Sequence, residues 1–374
     1  MAKKVNQPVM VFPNLHASAE TLSALLTRFN LYGSYVYEQS NREIEKIIIL
    51  AGVKVSELKM ENVDGYKYLE IHRICDPSRN VLKFAFMSQK ILKQFSIQPR
   101  PLISSDLYFG FLSSLHITFF LQSPIPIQVS VHGTLLRNKD SAVKAFIRKT
   151  YTARVLHLAA SIRIVSKELE LQLLSQFDIS LQKIFIAPIP IDFPEISNED
   201  KMKIIAFVGR FHEERGVEEW VDIICCLHER RKDFSVFMVG DGPLRLYAKS
   251  RFESDVPALP LIDFGYLTKP ELDKIWPQIK IFLSSAKSEG YGLSLREAVI
   301  SSAFVVARSS SGSEVLRREL PNLVFTYSDT NEAISHLERL LDSHFPVAES
   351  EEFRNRMVEQ NQETLGAIAM NWIG

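Results

Sequence analysis

The sequence predicts an α/β protein of two doubly wound domains, and three observations carry this prediction. Short apolar segments alternate with helical patterns, which is typical of a parallel sheet covered by helices on both faces. The chain has 374 residues, 46% of them hydrophobic, and so exceeds the length at which one core usually stops growing. A segment with three prolines, PIPIDFPEISNEDK at 188–201, separates the two halves and predicts an interdomain linker.

In the first half, short apolar segments alternate with helical patterns. The apolar segments predict strands, and the intervening periodic segments predict helices. The expected strands are 9–12, 47–50, 68–71, 101–104, 127–131, 162–165 and 184–187, and the expected helices include 80–96, 140–158 and 167–177.

One stretch is long enough to cross a bilayer, because no Asp, Glu, Lys or Arg lies between Leu107 and Leu136. Pro124 and Pro126 divide it, and Gln122, Gln128 and His132 add polar groups. We therefore predict a helix near 110–120, a turn and a strand at 127–131 instead of a membrane span.

In the second half, two apolar segments end in glycine-rich turns. KIIAFVGRFHEERG (203–216) leads into Gly209 and Arg210, with Arg215 close behind. Arginine presents a planar fork of donors that matches phosphate oxygens, whereas a surface ion pair with Glu213 or Glu214 is the alternative for these arginines. FSVFMVGDGPLR (234–245) ends in Gly240 and Asp241, and we expect Asp241 to cap the turn and not to bind a metal.

A third segment, SSAKSEGYGLSLRE (284–297), combines glycines with two acids. Gly290 and Gly292 allow a ligand to approach the main chain, and the helix expected after them presents free N–H groups to an anion. Glu297 then lies about 7.5 Å along that helix from its start. Glu289 and Glu297 are so spaced that they can accept from hydroxyls on either side of a diphosphate; alternatively, Glu297 only complements the helix dipole.

VGRFHEERG, VGDGPLR, the strand IFLSS (281–285), the Glu289-to-Glu297 element and Ser311-Gly312-Ser313-Glu314 follow one another along the chain. In order and approximate spacing they resemble the nucleotide-sugar domain of retaining GT-B glycosyltransferases of family 4, the glycosyl transferases group 1. The resemblance covers about residues 201–345. It implies a GT-B fold of two Rossmann-like domains facing across a cleft. The expected domains are an acceptor-side domain at 1–190, a donor domain at 191–345 and a helix at 346–374 that crosses back to the first domain.

The resemblance also implies roles for particular residues. Arg210 and Arg215 are expected on the diphosphate, Glu289 on the sugar hydroxyls and Glu297 on the ribose. The remaining donor-binding positions are Gly209, Gly240, Gly290, Tyr291, Gly292 and Leu293. His132, at the end of a predicted strand, is the candidate for a contact to the donor sugar from the first domain, and a buried structural histidine is the alternative.

Two departures from the family pattern stand out. Arg215 occupies a position where the family has lysine. The positive charge is kept, but the planar guanidinium of arginine replaces the compact ammonium group of lysine. After PVMVFPN, the sequence LHASAETLSALL replaces a glycine-rich loop, which puts acceptor binding in question; His16, Ser18 and Thr21 either cap the helix or face the cleft.

The implied activity is a hexosyl transfer, with retention, from a UDP- or GDP-type sugar to a hydroxyl of a glycan, lipid-linked or small-molecule acceptor. No metal and no cofactor are implied, and attack on the same face of the sugar is favoured over a covalent adduct on Glu289. The alternatives are a degenerate GT-B subunit that supports an active transferase, and a sugar-nucleotide epimerase or hydrolase on the same fold.

Charge is unevenly divided, because residues 1–190 hold 23 Lys and Arg against 14 Asp and Glu, and residues 191–374 hold 21 against 30. This asymmetry favours an anionic partner, such as lipid-linked phosphate at the inner membrane face; charge complementarity between two domains explains it equally well. No nucleic-acid partner is expected. The chain has three cysteines, Cys75, Cys225 and Cys226, which predict no disulfide framework, and no signal peptide is evident. We therefore expect a cytoplasmic protein. If the anionic partner is a membrane lipid, we expect it to bind peripherally at the inner membrane face.

Overall fold

The computed structural model describes residues 7–12, 19–52, 65–75, 80–94, 100–132, 142–193 and 201–373. The chain divides into two compact units. Unit 1 comprises Met1–Pro188 and Gln362–Gly374, and unit 2 comprises Ile189–Asn361.

Unit 1 contains a parallel sheet of seven strands in the order β3-β2-β1-β4-β5-β6-β7. Its strands are β1 (Val9–Phe12), β2 (Ile47–Gly52), β3 (Leu69–Ile74), β4 (Leu102–Ser104), β5 (Ile127–Val131), β6 (Ser161–Ile164) and β7 (Ile184–Ile186). Its helices are α1 (Ala19–Gln39), α2 (Val81–Gln94), α3 (Phe109–Leu121), α4 (Ala142–Leu158) and α5 (Lys167–Gln176).

The burial of these strands accounts for why their sequences are apolar. All residues of β1, β2 and β5 are buried, as expected for parallel strands covered on both faces. β3 is longer than predicted, because its charged residues Glu70 and Arg73 hide the strand pattern; the edge position leaves four of its six residues only partly buried. The segment at 107–132 forms α3 and β5 as predicted. Among the described residues, no helix has the length and apolarity needed to span a membrane.

Unit 2 contains a second parallel sheet, of six strands in the order β10-β9-β8-β11-β12-β13. Its strands are β8 (Ile204–Val208), β9 (Ser235–Val239), β10 (Leu261–Gly265), β11 (Ile281–Ser284), β12 (Phe304–Arg308) and β13 (Val324–Tyr327). Its helices are α6 (Val217–Arg230), α7 (Arg245–Asp255), α8 (Lys269–Ile275), α9 (Leu293–Ile300), α10 (Ser311–Glu319) and α11 (Thr330–Asp342). A last helix, α12 (Val347–Ile373), begins in unit 2 and ends in unit 1.

The division of α12 between the units differs from the expected boundary at 345. Phe353 and Met357 belong to the core of unit 2, and the Asn361 amide donates to Ile191 O at 2.7 Å and accepts from Ile191 N at 3.1 Å. Beyond Asn361 the helix belongs to unit 1, where Trp372 is fully buried and lies edge-on to Tyr32 at 5.6 Å between ring centroids. The first turns of α12 therefore complete the core of unit 2, and its last turns complete that of unit 1.

Candidate active site

The centre of the unit 2 sheet is a topological switch point. From β8 the chain proceeds to β9 and β10 on one side, and from β11 it proceeds to β12 and β13 on the other. The loops that leave the carboxyl ends of β8 and β11 therefore diverge, and open α/β sheets bind ligands at such a crevice. The predicted donor-binding segments follow β8, β9 and β11, so the sheet order brings them to one edge.

Two glycines bring the ends of β8 and β9 together. Gly240 has φ +125°, and a Cβ at this position would lie 1.9 Å from the carbonyl oxygen of Gly209. Gly209 N in turn donates to Val239 O at 3.0 Å. Only glycine permits this approach, so the two positions predicted as donor-binding have a demonstrable backbone role. Asp241 caps the same turn as predicted, since its carboxylate accepts from Gly242 N at 2.8 Å.

The main feature of the crevice is an ion pair between Arg215 and Glu289. Arg215 Nη1 donates to Glu289 Oε2 at 2.8 Å, and the side chains are 32% and 18% exposed. Arg215 Nε is buried and has no hydrogen-bond partner among the residues that the structure describes. The pair therefore leaves donors of a half-buried guanidinium free to bind an anion.

The backbone that carries Arg215 is held against the end of β11. Gly216 has φ +66°, and a Cβ there would lie 2.1 Å from Ser285 O. The buried Ser285 hydroxyl lies 3.0 Å from Arg215 O and 2.8 Å from Gly216 O, and it donates to this pair of carbonyls. Ser285 thus joins the loop after β8 to the loop after β11 and positions Arg215 opposite Glu289.

The Gly-Tyr-Gly turn is supported from two sides. Tyr291 is buried, and burial raises its pKa; the Arg296 guanidinium lies 4.5 Å from the centroid of its ring, while Arg296 Nε donates to Tyr291 O at 3.2 Å. On the other side Gly312 N donates to Glu289 O at 2.9 Å, and a Cβ at Gly312 would lie 2.6 Å from that oxygen. The turn is therefore a preformed element.

Helix α9 begins directly after this turn, as predicted. Gly292 has φ +69° and precedes Leu293, the first helical residue. The first N–H groups of a helix have no partner within it, so the start of α9 presents donors and a positive dipole end near Glu289. Glu297 lies in the following turn with a side chain that is 13% exposed, and Lys269 Nζ lies 3.8 Å from its Oε1. The acid predicted for the ribose is thus largely buried beside a cation.

Arg210 takes a different position. Its side chain is 70% exposed and its Nη2 lies 2.5 Å from Glu214 Oε1, which is the surface ion pair named above as the alternative. The structure therefore places Arg215 and Glu289 together and leaves Arg210 at the surface of the same loop. Because exposed pairs contribute little energy, Arg210 can exchange Glu214 for another anion at small cost.

His132 belongs to unit 1, where it follows the last residue of β5, and its side chain is exposed to solvent. The protein around it desolvates the imidazole and lowers its pKa, and the charges of Arg163 and Arg28 lower the pKa further. The imidazole is therefore expected to be neutral at pH 7. His16, Ser18 and the side chain of Thr21 lie outside the described residues.

Sequence reasoning missed the residues that support the site. Ser285 and Arg296 lie within the segment 284–297, but the sequence assigns neither of them a role, because their partners lie on a distant loop and on the backbone of the turn. Gly312 was part of a quoted motif, yet its close approach to Glu289 was not expected. Within the described part of the chain, no group of three or more His, Cys, Asp or Glu side chains has an arrangement that could hold a metal ion.

Comparison with solved structures identifies the fold. Among solved structures, a glycosyltransferase from Rickettsia africae aligns with a TM-score of 0.71 over 98% of both chains at 13% identity. The Anabaena protein HepE in complex with UDP-glucose aligns with a TM-score of 0.70 over 97% of this chain and 99% of that chain, at 10% identity. The lipopolysaccharide outer core galactosyltransferase WaaB aligns with a TM-score of 0.69 over 98% of this chain and 99% of that chain, at 14% identity. The chain has the GT-B fold, and the predicted fold class is confirmed.

Sequence comparisons point the same way. Residues 202–343 match the model of the family described as glycosyl transferases group 1, the family that the motifs of this segment resemble. A 2-deoxystreptamine glucosyltransferase of Streptomyces kanamyceticus is 28% identical over 149 residues, which span 38% of each protein. A tRNA-queuosine alpha-mannosyltransferase of Drosophila melanogaster is 26% identical over 109 residues, 29% of each. The matches thus span less than half of these curated relatives.

Proposed function

We propose that this protein is a glycosyltransferase that moves a sugar from a nucleoside diphosphate sugar to a hydroxyl group, with retention of anomeric configuration. One observation carries the proposal: the Arg215–Glu289 pair lies at the switch point of unit 2, beside the start of α9. The cation and the helix start match the diphosphate of such a donor, and the carboxylate in the same crevice matches the hydroxyls of its sugar. The family of residues 202–343 supports the same activity.

The charges of the site determine the chemistry we assign to it. Negative charge develops on the departing diphosphate, and fixed donors that face it lower the barrier most. Arg215 uses one of its five N–H groups for Glu289 and retains others for phosphate oxygens. Arg210 and the first N–H groups of α9 supply further donors to the same anion.

Glu289 is assigned to the hydroxyls of the donor sugar. Its carboxylate is 18% exposed and already accepts from Arg215, so its remaining lone pairs are available to sugar O–H donors. We assign His132 to the same sugar from unit 1, as a neutral imidazole. With Glu289 engaged in this way, the acceptor attacks from the side of the leaving group, and a glycosyl adduct on Glu289 would contradict this route.

The donor is assigned to the UDP or GDP class. Related structures were solved with UDP and glucose, with UDP-glucose, and with UDP and GlcNAc, which favours a UDP-sugar as the first donor to test. The acceptor is a hydroxyl of a glycan, a lipid-linked sugar or a small molecule. We propose a reaction without an essential divalent metal, and undiminished turnover in excess EDTA is the expected result.

The decisive experiment combines binding with product analysis. Isothermal titration with UDP and with GDP should show that one of them binds, and a mass-spectrometric screen of nucleotide sugars with lipid extract as acceptor should show transfer of a hexose. NMR of the product should show the anomeric configuration of the donor. Binding of neither nucleotide would favour the degenerate subunit, and turnover without an acceptor would favour an epimerase or a hydrolase.

Glu297 provides a separate test of the donor's orientation. Glu297→Ala should raise the KM for the donor about tenfold and leave kcat within about twofold, since a ribose contact made equally in ground and transition states affects binding alone. Glu338→Ala, which removes a partly exposed acid of α11 paired with Arg230, is the matched control. A fall in kcat at unchanged KM would contradict the ribose assignment.

A further inference from the structure

The exposed apolar side chains are concentrated in unit 1. Among the described residues, sixteen of the twenty exposed large hydrophobic side chains belong to unit 1 and four to unit 2. Large exposed apolar patches in soluble domains mark contact sites, whereas single exposed residues need no explanation. Ten of these sixteen lie on α2, α3 and α4 or directly before α3, so these helices present a surface for which the donor site of unit 2 gives no reason.

Three helices share this surface. The crossovers β3 to β4, β4 to β5 and β5 to β6 all step in the same direction across the sheet, so right-handed connections place α2, α3 and α4 on one face. Direct contacts agree: Phe86 of α2 lies edge-on to Phe120 of α3 at 5.9 Å, and Tyr108 before α3 stacks on Tyr151 of α4 at 5.5 Å. The crossover through α1 steps the opposite way and lies on the other face.

The outward side of α2 contains apolar residues and lysines in alternation. Leu82, Phe86 and Met87 are 55%, 47% and 38% exposed, and Lys83, Lys90 and Lys93 are exposed beside them. Lys90 Nζ lies 4.7 Å from the centroid of the Phe86 ring. No Asp or Glu occurs in this helix, although an ordinary solvent-exposed helix face contains acids.

The first turns of α4 repeat the pattern more strongly. Val143, Phe146 and Ile147 follow the helical spacing of one face and are 69%, 71% and 61% exposed. Lys144 and Lys149 are exposed on either side of this apolar stripe. Around the axis at about 100° per residue, the stripe continues to the exposed Arg154.

The charge of the whole segment agrees with this composition. Between Asp76 and Glu168 the chain holds thirteen Lys and Arg residues and only two acids, Asp106 and Asp140. An apolar stripe flanked by cations is the composition of a helix that lies in the interface of an anionic bilayer, with apolar side chains below the headgroups and ammonium groups among the phosphates. An acidic protein partner would account for the cations but not for three apolar side chains exposed on consecutive turns.

We propose that the face of unit 1 formed by α2, α3 and α4 docks on an anionic lipid bilayer, with the first turns of α4 inserted at the headgroup level. This binding requires no nucleotide sugar and stands independently of the proposed transfer reaction. Docking of this face accounts for the excess of Lys and Arg in the first half of the chain, which the donor site of unit 2 does not explain.

Co-sedimentation of the full-length protein with vesicles tests the proposal. The protein should sediment with vesicles in which about a third of the lipid is phosphatidylglycerol, should remain in the supernatant with pure phosphatidylcholine, and should dissociate as salt is raised. A cation near an anionic membrane contributes about 1 kcal/mol, or about fivefold in partitioning, so K144Q/K149Q/R154Q should bind roughly 100-fold more weakly. The control K249Q/R317Q/R318Q removes the same charge from unit 2 and should bind like the wild type.

A tryptophan reporter tests the insertion directly. The fluorescence of Phe146→Trp should shift to the blue on phosphatidylglycerol vesicles, while Leu246→Trp, at a 75% exposed position of α7, should not shift. F146S/I147S should lose membrane binding with an unchanged circular dichroism spectrum, because both side chains are already exposed.

Three results would overturn the proposal. The first is failure of the wild type to sediment with anionic vesicles at low salt, and the second is a loss of binding by the unit 2 control as large as that of the α4 variant. A dimer in the absence of lipid that F146S/I147S dissociates would show that this face joins two copies of the chain instead of meeting a bilayer.

Discussion

Replacing Arg215 by alanine tests the central feature of the candidate site. The guanidinium makes one bond to Glu289, at 2.8 Å, and keeps a buried Nε without a described partner. A hydrogen bond to a charged group contributes about 1.5–3 kcal/mol net, so the loss of one such bond to a diphosphate costs about that amount. Because the side chain is 32% exposed, water competes for this bond, and a value in the lower half of the range applies. We expect affinity for the bound nucleotide to fall roughly 30-fold, which corresponds to about 2 kcal/mol.

Isothermal titration of UDP and GDP measures this change. Arg215→Lys keeps the charge without the fork and should recover part of the affinity. Arg251→Ala removes a partly exposed arginine of α7 that pairs with Asp255, and it should bind nucleotide like the wild type. If Arg215→Ala bound the nucleotide within threefold of the wild type, the ion pair would be a structural contact and not part of the donor site.

Three further predictions concern stability. Gly240→Ala should lower the melting temperature of unit 2 by several degrees, because the new Cβ meets Gly209 O at 1.9 Å; calorimetry measures the shift. Trp372→Ala should destabilise unit 1 by about 3–5 kcal/mol, as expected for a fully buried indole, measured by denaturant unfolding. Arg231 and Lys203 hold the pKa of Asp342 below its ordinary value. The ionised carboxylate therefore contributes fully to folding stability above about pH 4, and this contribution is lost as the pH falls further. Asp342→Asn should reduce the fall in melting temperature at acid pH, as measured by melting curves recorded across this pH range.

Each of these predictions has a control in the same chain. Gly366→Ala introduces a Cβ that meets nothing within 4 Å in α12, so it should not destabilise. Met370→Ala changes a 62% exposed residue of the same helix end as Trp372 and should have little effect. For Asp342 the control is salt, because an exposed network that stabilises through charge must weaken as ionic strength rises. Equal behaviour of variant and control would contradict the packing or charge argument concerned.

Much of the architecture was predictable because it depends on local pattern. An apolar segment such as Ile127–Val131 predicts a buried strand, and apolar residues repeating at helical spacing predict a helix. Each of these patterns can be recognised from residues that are close together in the sequence. The start of α9 was predicted for the same reason, since Gly292 and the residues after it specify a helix start without help from the rest of the chain. The third strand was underestimated where polar residues on an edge strand interrupt the pattern.

The sequence by itself determined the two α/β units, the residue types of the candidate site and the excess of positive charge in the first half. Only the tertiary structure decided that Arg215, and not Arg210, pairs with Glu289, which lies 74 residues further along the chain. It also decided that Ser285 joins the loops after β8 and β11, and that lysines and arginines of unit 1 lie beside exposed apolar side chains. The physical reason is that periodicity and turn chemistry act over one or two helical turns. The partner of a side chain, in contrast, depends on which strands lie next to each other in the sheet, and strand order is a property of the whole packed domain.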